Sequence, residues 1–188
     1  MHRLFSASME TACAAVFLFP IFLYLNKISF RSMKTTVFSL LFALYLCTVY
    51  AIAGLPNITY IRFDPNFNLV PFQYFFSDET TLLNVILFIP LGFFLPLLRE
   101  KYRRLLPTIF FGLLMSLFIE VFQIFTLRAS DINDIFTNTF GSLVGYILGK
   151  LSLWLLPKLS LNEVANELKL IVASVVFVMF FLQPVLSG

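Results

Sequence analysis

The sequence has little charge, one histidine and two cysteines, and these shortages exclude several classes of protein. Only 12% of its 188 residues are charged, about half of the roughly 25% found in soluble domains. The single histidine, His2, lies at the start of the chain, which excludes imidazole chemistry. Cys13 and Cys47 lie inside apolar runs, which favours buried free thiols over a disulfide or a metal site. No glycine-rich phosphate-binding loop is present and no motif sets the geometry of a metal site, so we expect neither a cofactor nor a metal.

Apolar residues dominate instead, at 60% of the chain. A soluble fold carries about 45–50% apolar residues, so the bilayer is the natural solvent for this chain. A helix that crosses a bilayer needs about 20 mostly apolar residues. Six runs approach that length, at about 8–25, 35–53, 82–98, 105–125, 138–156 and 168–186. The sequence therefore predicts an all-α, polytopic membrane helical bundle of about six transmembrane helices.

Basic residues concentrate in alternate loops and predict an orientation. Lysines and arginines fall within 27–34, 99–104 and 150–169, whereas 54–81 and 126–137 contain one arginine each. The positive-inside rule places the basic loops in the cytoplasm and both termini outside. We expect a multi-pass protein of the cytoplasmic membrane. The net charge of +3 does not favour nucleic acid as a partner.

The outer segment 54–81 is rich in aromatic residues. Rings at this density favour a loop that lies in the headgroup layer, with a re-entrant loop as the alternative. The residues concerned are Tyr60, Phe63, Phe67, Phe72, Tyr74, Phe75 and Phe76.

A carboxylate inside the fourth apolar run is the first polar anomaly. Glu120 lies about five residues inside the outer end of this run. A charged side chain at the centre of a span costs about 2.5–3.5 kcal/mol, and such residues usually face the bundle interior. Helical spacing predicts one polar face that points at other helices, made of Gly112, Ser116, Glu120 and Gln123. The opposite face consists of Leu114, Phe118, Val121 and Phe125.

The next turn and helix carry further polar residues. Ser130 or Asp131 is predicted to cap the helix, because a side-chain oxygen at that position accepts from free backbone N–H groups. One face of the helix then carries Asp131, Asp134, Asn138 and Ser142. Small residues every fourth position permit close helix contact. Gly141, Gly145 and Gly149 are therefore predicted to pack against a neighbouring helix.

Glu120, Arg128, Asp131 and Asp134 fall within one helical hairpin, and their spacing leaves two interpretations open. In the first, Arg128 neutralises an acid and the others cap the helix. In the second, they form a polar pocket open to the outer surface that holds a headgroup, a divalent cation or a proton. Asn84, at the outer end of the third run, is either an interface residue or a hydrogen-bonding partner of another helix.

Four sequence blocks together resemble the VanZ-like family over about residues 37–150. They are NLVPF at 68–72, NVILFIPLG at 84–92, SLFIEVFQ at 116–123 and DINDIFTNTFG at 131–141. The resemblance suggests three parts. Residues 1–34 form an added N-terminal transmembrane helix and a basic cytoplasmic loop, residues 35–156 the VanZ-like membrane domain, and residues 157–188 a C-terminal loop and transmembrane helix.

The resemblance implies an integral membrane protein that lowers susceptibility to teicoplanin and other lipoglycopeptides, in a family with no established catalytic activity. The family's polar positions fall on Asn84, Glu120, Gln123, Asp131, Asp134 and Asn138, with Arg128 common among relatives but not universal.

Three functions compete for these residues. The leading hypothesis is a non-enzymatic protein whose outward polar pocket engages a cell-envelope component, such as a cell-wall precursor, or the antibiotic itself. The alternatives are a membrane enzyme that acts on a lipid headgroup or lipid-linked precursor, and a small transporter or flippase. Membrane lipids are expected partners in each case.

Overall fold

The computed structural model describes residues 2–63, 66–68, 70–71, 79–126, 128–161 and 166–184. Within these ranges the structure is almost entirely helical, which confirms the all-α membrane bundle predicted from the sequence. The helices are α1 (His2–Leu25), α2 (Met33–Ala53), α3 (Glu79–Leu98), α4 (Leu105–Gln123), α5 (Ile132–Leu155) and α6 (Glu167–Phe177). Two short strands that were not predicted, β1 (Phe67–Asn68) and β2 (Ser130–Asp131), pair in parallel.

Four helical segments of the described part are long and apolar enough to cross a membrane. A helix rises 1.5 Å per residue, so about 20 residues span the hydrocarbon core. The four segments are Phe5–Phe30, Met33–Ala53, Thr80–Leu98 and Leu105–Gln123.

The contacts of the chain group into two compact units. Unit 1 combines Met1–Arg62 with Asn162–Gly188 and contains α1, α2 and α6. Unit 2 is Phe63–Leu161 and contains α3, α4, α5 and the strand pair. The three-part division made from the sequence resemblance stays a prediction.

Capping residues define the ends of α2 in unit 1. Ser32 has an extended backbone, and its side chain accepts a hydrogen bond from the Thr35 N–H at 3.4 Å. Gly54 ends the helix at a φ of 62°, a left-handed conformation that glycine adopts without a Cβ clash. Asn26 stabilises the entry to the helix, because its Oδ1 accepts from the Thr36 hydroxyl at 2.9 Å.

A buried hydroxyl–carboxylate pair lies in the core of unit 1. The Ser39 hydroxyl donates to Oε1 of Glu167, and neither residue is exposed to solvent. This pair was not predicted. Both cysteines are free as predicted, but only Cys47 is buried, whereas Cys13 is half-buried because part of α1 faces outward.

Glycines bring α3 and α5 into close contact in unit 2. A Cβ on Gly145 would lie 2.0 Å from the carbonyl oxygen of Ile89. A Cβ on Gly141 would lie 2.3 Å from the carbonyl oxygen of Val85. No side chain fits at such distances, so the backbones touch. Gly149 lies against Phe93 in the same way, so all three glycines predicted to pack against a neighbouring helix lie at the contact between α3 and α5.

Several helix boundaries differ from the predicted runs. Helix α4 ends at Gln123 and not at 125, and α5 begins at Ile132 because the polar first turn, which hydropathy does not detect, is already helical. Helix α3 continues through Pro90 and Pro96. In the described part of the predicted run 168–186, α6 is followed by a π-helical turn, Val178–Leu182.

The aromatic segment 54–81 lies only partly within the described residues. Tyr60, Phe63 and Phe67 are exposed there. Phe72, Tyr74, Phe75 and Phe76 lie outside the described residues, so the choice between a headgroup-layer loop and a re-entrant loop stays a prediction.

Candidate functional site

Asp131 organises the polar end of unit 2. It is the N-cap of α5, one of the two positions predicted, and its Oδ1 accepts from the backbone N–H of Asn133 at 2.8 Å. The amide Nδ2 of Asn133 donates to the same oxygen, also at 2.8 Å. The other carboxylate oxygen accepts from Nδ2 of Asn68 at 2.8 Å. One carboxylate therefore satisfies the free N-terminal N–H of α5 and holds strand β1.

Glu120 joins the end of α4 to the start of α5. Its Oε2 accepts from the Asp131 N–H at 2.7 Å, and only 6% of the residue is exposed. The Ser130 hydroxyl donates to the carbonyl oxygen of Glu120, also at 2.7 Å. Because α4 ends at Gln123, the glutamate lies in the last turn of the helix and not five residues inside it.

Charges of both signs surround this glutamate. Asp131 and Asp134 act on it with like charge, and Arg128 acts on it with opposite charge. The N-terminus of α5 adds a partial positive charge that favours nearby anions. The structure thus brings together Glu120, Arg128, Asp131 and Asp134, as predicted for the hairpin, with Arg128, Asp131 and Asp134 all half-buried.

The strand pair adds residues that the sequence did not single out as site residues. The N–H of Ser130 donates to the carbonyl oxygen of Asn66 at 2.9 Å, and Asn133 Nδ2 donates to the oxygen of Val70 at 3.2 Å. Asn68 and Asn133 both belong to the sequence blocks that resemble the VanZ-like family. Their roles were missed because the strand pairing joins segments that lie 63 positions apart.

A cleft of about 190 Å³ opens beside these groups. Glu120, Ser130 and Asp131 lie in its wall, although its accessible surface is almost entirely apolar. The rest of the wall is apolar and consists of Phe67, Val121, Ile124, Ile132 and Ile135. A wall of this kind suits an amphiphilic ligand, because apolar side chains bind the body of a ligand while a few polar groups fix its orientation.

The polar face of α4 continues below the cleft. Nδ2 of Asn138 donates to the Ser116 hydroxyl at 2.9 Å, and both residues are buried. The predicted face of Gly112, Ser116, Glu120 and Gln123 is buried throughout, which confirms its inward orientation. On the opposite face Leu114, Phe118 and Val121 are exposed as predicted, while Phe125, beyond the helix end, is half-buried.

Asn84 is not tied into this network by its amide nitrogen. The residue is half-buried in α3, and its buried Nδ2 has no hydrogen-bond partner among the described residues. A cross-helix hydrogen bond, one of the two alternatives for this residue, is thus not made by this atom within the described residues. The described residues also contain no group of three or more His, Cys, Asp or Glu side chains that could hold a metal ion.

Comparison with known proteins matches most of unit 2. The VanZ/LLP1 family model matches residues 37–155, more than half of the chain. The protein VanZ of Enterococcus faecium is 40% identical over 88 residues, which are 45% of this chain and 53% of that relative. The chain thus spans about half the length of this relative. No solved structure matches the chain.

Proposed function

Because the chain belongs to the VanZ/LLP1 family, we propose that its acidic cleft binds an amphiphilic ligand and thereby lowers susceptibility to teicoplanin and related lipoglycopeptides. The ligand is a lipid-linked component of the cell envelope or the acylated antibiotic itself. The chain is a VanZ-like membrane protein.

One observation supports the cleft as the working site. Glu120 is almost fully buried, yet it lines a cleft whose other walls are largely apolar. A buried carboxylate in a membrane helix is costly, so it marks a functional site by default. A cationic or amide-bearing headgroup suits the carboxylates, and an acyl chain suits the isoleucines.

We also propose that the chain lies in the cytoplasmic membrane with six crossing helices, and that the loops rich in lysine and arginine face the cytoplasm. The cleft then lies on the outer side, where lipid-linked wall precursors and lipoglycopeptides are found. Membrane lipids surround the protein on all sides.

Replacing one oxygen of Glu120 tests the proposal. Glu120→Gln keeps an acceptor for the Asp131 N–H at 2.7 Å but removes the carboxyl group. We expect loss of teicoplanin tolerance at unchanged protein level in the membrane. Asp134→Asn is expected to act in the same direction. Glu100→Gln is the matched control, because its exposed ion pair with Arg103 lies outside the cleft.

A steric variant separates ligand binding from a charge effect on folding. Ile135→Trp adds bulk to the cleft wall and leaves every carboxylate residue unchanged. We expect it to abolish tolerance as Glu120→Gln does. Full tolerance in both variants, at equal expression, would refute the proposed site. A new lipid mass in extracts that disappears with Glu120→Gln would support the enzymatic alternative in its place.

A further inference from the structure

A second cleft lies at the basic end of unit 2. It has a volume of about 360 Å³ and is lined by Arg103, Lys150, Leu153, Trp154, Pro157 and Ser160. Residues 99–104 and 150–161, which bring the chain to this end, contain six basic residues and one acidic residue. Such an excess of positive charge attracts anions.

Hydrogen bonds fix the basic wall of this cleft. Arg103 donates from one terminal nitrogen to the Ser160 hydroxyl at 2.5 Å and from the other to Glu100 at 3.2 Å. The Tyr146 hydroxyl donates to the carbonyl oxygen of Arg103 at 3.0 Å. Nε of Arg103 is buried without an acceptor among the described residues. The guanidinium is therefore held in place with a donor still unused.

The other side of the cleft is apolar and open. Trp154 is 76% exposed, and Leu155 and Leu156 next to it are each 59% exposed. Exposed tryptophan at the end of a membrane helix is typical of the headgroup level, where the ring contacts both acyl chains and polar groups. Lys150 lies one turn before Trp154 on the same helix and is also exposed.

We propose that this cleft binds the phosphate headgroup of an anionic phospholipid. Arg103 and Lys150 pair with the phosphate, and Trp154 with the neighbouring leucines contacts the first part of the acyl chains. Exposed apolar residues beside the cations favour a lipid over a soluble phosphate compound, which would leave these side chains in water. The proposal is independent of the acidic cleft, which lies beside the other end of α5.

Trp154 is the only tryptophan of the chain, so its fluorescence reports on this cleft alone. The full chain is reconstituted in phosphatidylcholine vesicles that contain a fixed fraction of brominated phosphatidylglycerol or brominated phosphatidylcholine. Bromine on the acyl chain quenches a contacting indole. We expect stronger quenching by the anionic lipid at equal fraction, and no reversal by soluble glycerol phosphate.

Variants distinguish a built site from a general basic surface. Lys150→Gln is expected to lower the preference for phosphatidylglycerol about fivefold, as expected for one basic group near an anionic headgroup. Lys150→Arg is expected to keep the preference. Arg104→Gln removes an equal charge from an exposed residue that is adjacent to Arg103 but outside the cleft. We expect little change in the preference for phosphatidylglycerol. Circular dichroism checks that each variant is folded.

Three results would overturn the proposal. Equal quenching by the two brominated lipids would exclude selective binding. Equal losses in Lys150→Gln and Arg104→Gln would indicate diffuse attraction to a basic surface. Displacement of the brominated phosphatidylglycerol by soluble glycerol phosphate would assign the cleft to a free phosphate compound.

Discussion

Oε2 of Glu120 lies 2.7 Å from the backbone nitrogen of Asp131 and accepts its hydrogen bond. The last turn of α4 thus holds the residue that caps α5. The acid that marks the candidate site also determines how the two helices meet, so variants at this position need a readout for folding as well as for function.

Loss of the α5 cap is expected to destabilise the protein. Asp131→Ala removes the acceptor for the Asn133 N–H at 2.8 Å and the bond from Asn68. We expect a decrease of about 1–2 kcal/mol in the free energy of unfolding, measured by denaturant titration in detergent. Ser32→Ala removes the N-cap of α2, whose hydrogen bond is longer, at 3.4 Å. It is expected to lower the free energy of unfolding by less than Asp131→Ala does. Equal losses would contradict this ranking.

The glycine contacts between α3 and α5 predict a graded effect of added methyl groups. A Cβ would lie 2.0 Å from a backbone oxygen at Gly145 but 2.7 Å at Gly149. Overpacking typically lowers the free energy of unfolding by about 1–3 kcal/mol. We expect Gly145→Ala to lower it by more than this, and Gly149→Ala to lower it by less than Gly145→Ala does. Thermal unfolding in detergent measures both. The reverse order would argue against backbone contact at Gly145.

The hydrogen bond between Asn138 and Ser116 predicts coupling between α4 and α5. A double-mutant cycle with Asn138→Ala and Ser116→Ala is expected to yield an interaction free energy of about 0.6 kcal/mol, with an upper bound of about 1.7. Thr139→Val serves as the control partner, because the Thr139 hydroxyl is buried without a hydrogen bond among the described residues. An equally large interaction free energy in the cycle that pairs Thr139→Val with Ser116→Ala would refute a specific hydrogen bond between Asn138 and Ser116.

The buried pair of Ser39 and Glu167 in unit 1 predicts that removing one hydroxyl group lowers stability. Ser39→Ala removes the hydroxyl that donates to the buried carboxyl of Glu167. We expect a loss of about 1–3 kcal/mol, the cost of a buried polar group that loses a partner. Ser152→Ala is the matched control, because this half-buried serine donates to the carbonyl oxygen of Leu148 at 2.9 Å; it is expected to change stability by less than about 0.5 kcal/mol.

Periodicity predicted much of the fold and part of the candidate site. The buried face of α4 through Glu120, the glycine face of α5 and the capping role of Asp131 all depend on residues within a few turns of one another. Helical geometry relates such positions directly. The order and approximate limits of the six helices follow from the same local information, since each apolar run is long enough to be recognised by composition alone.

Features that depend on distant pairing were not predicted. Asn68 contacts Asp131 only because β1 and β2 adopt a particular register. Glu167 is fully buried against Ser39, which lies 128 positions earlier. A glutamate in the first turn of a helix is as common at an exposed interface, where the helix dipole also favours it, so its position alone does not indicate burial.

The parallel pairing of β1 with β2 has a consequence for the order of folding. It closes a loop that contains α3 and α4, so the entropy of closing that loop opposes the contact until the helices restrict the chain. Contacts between α4 and α5 across the short turn form at much lower entropic cost. We therefore expect the Asn68–Asp131 bond to form late, after α3, α4 and α5 have packed. Completion of the acidic cleft would then be one of the last events in the maturation of a newly inserted chain.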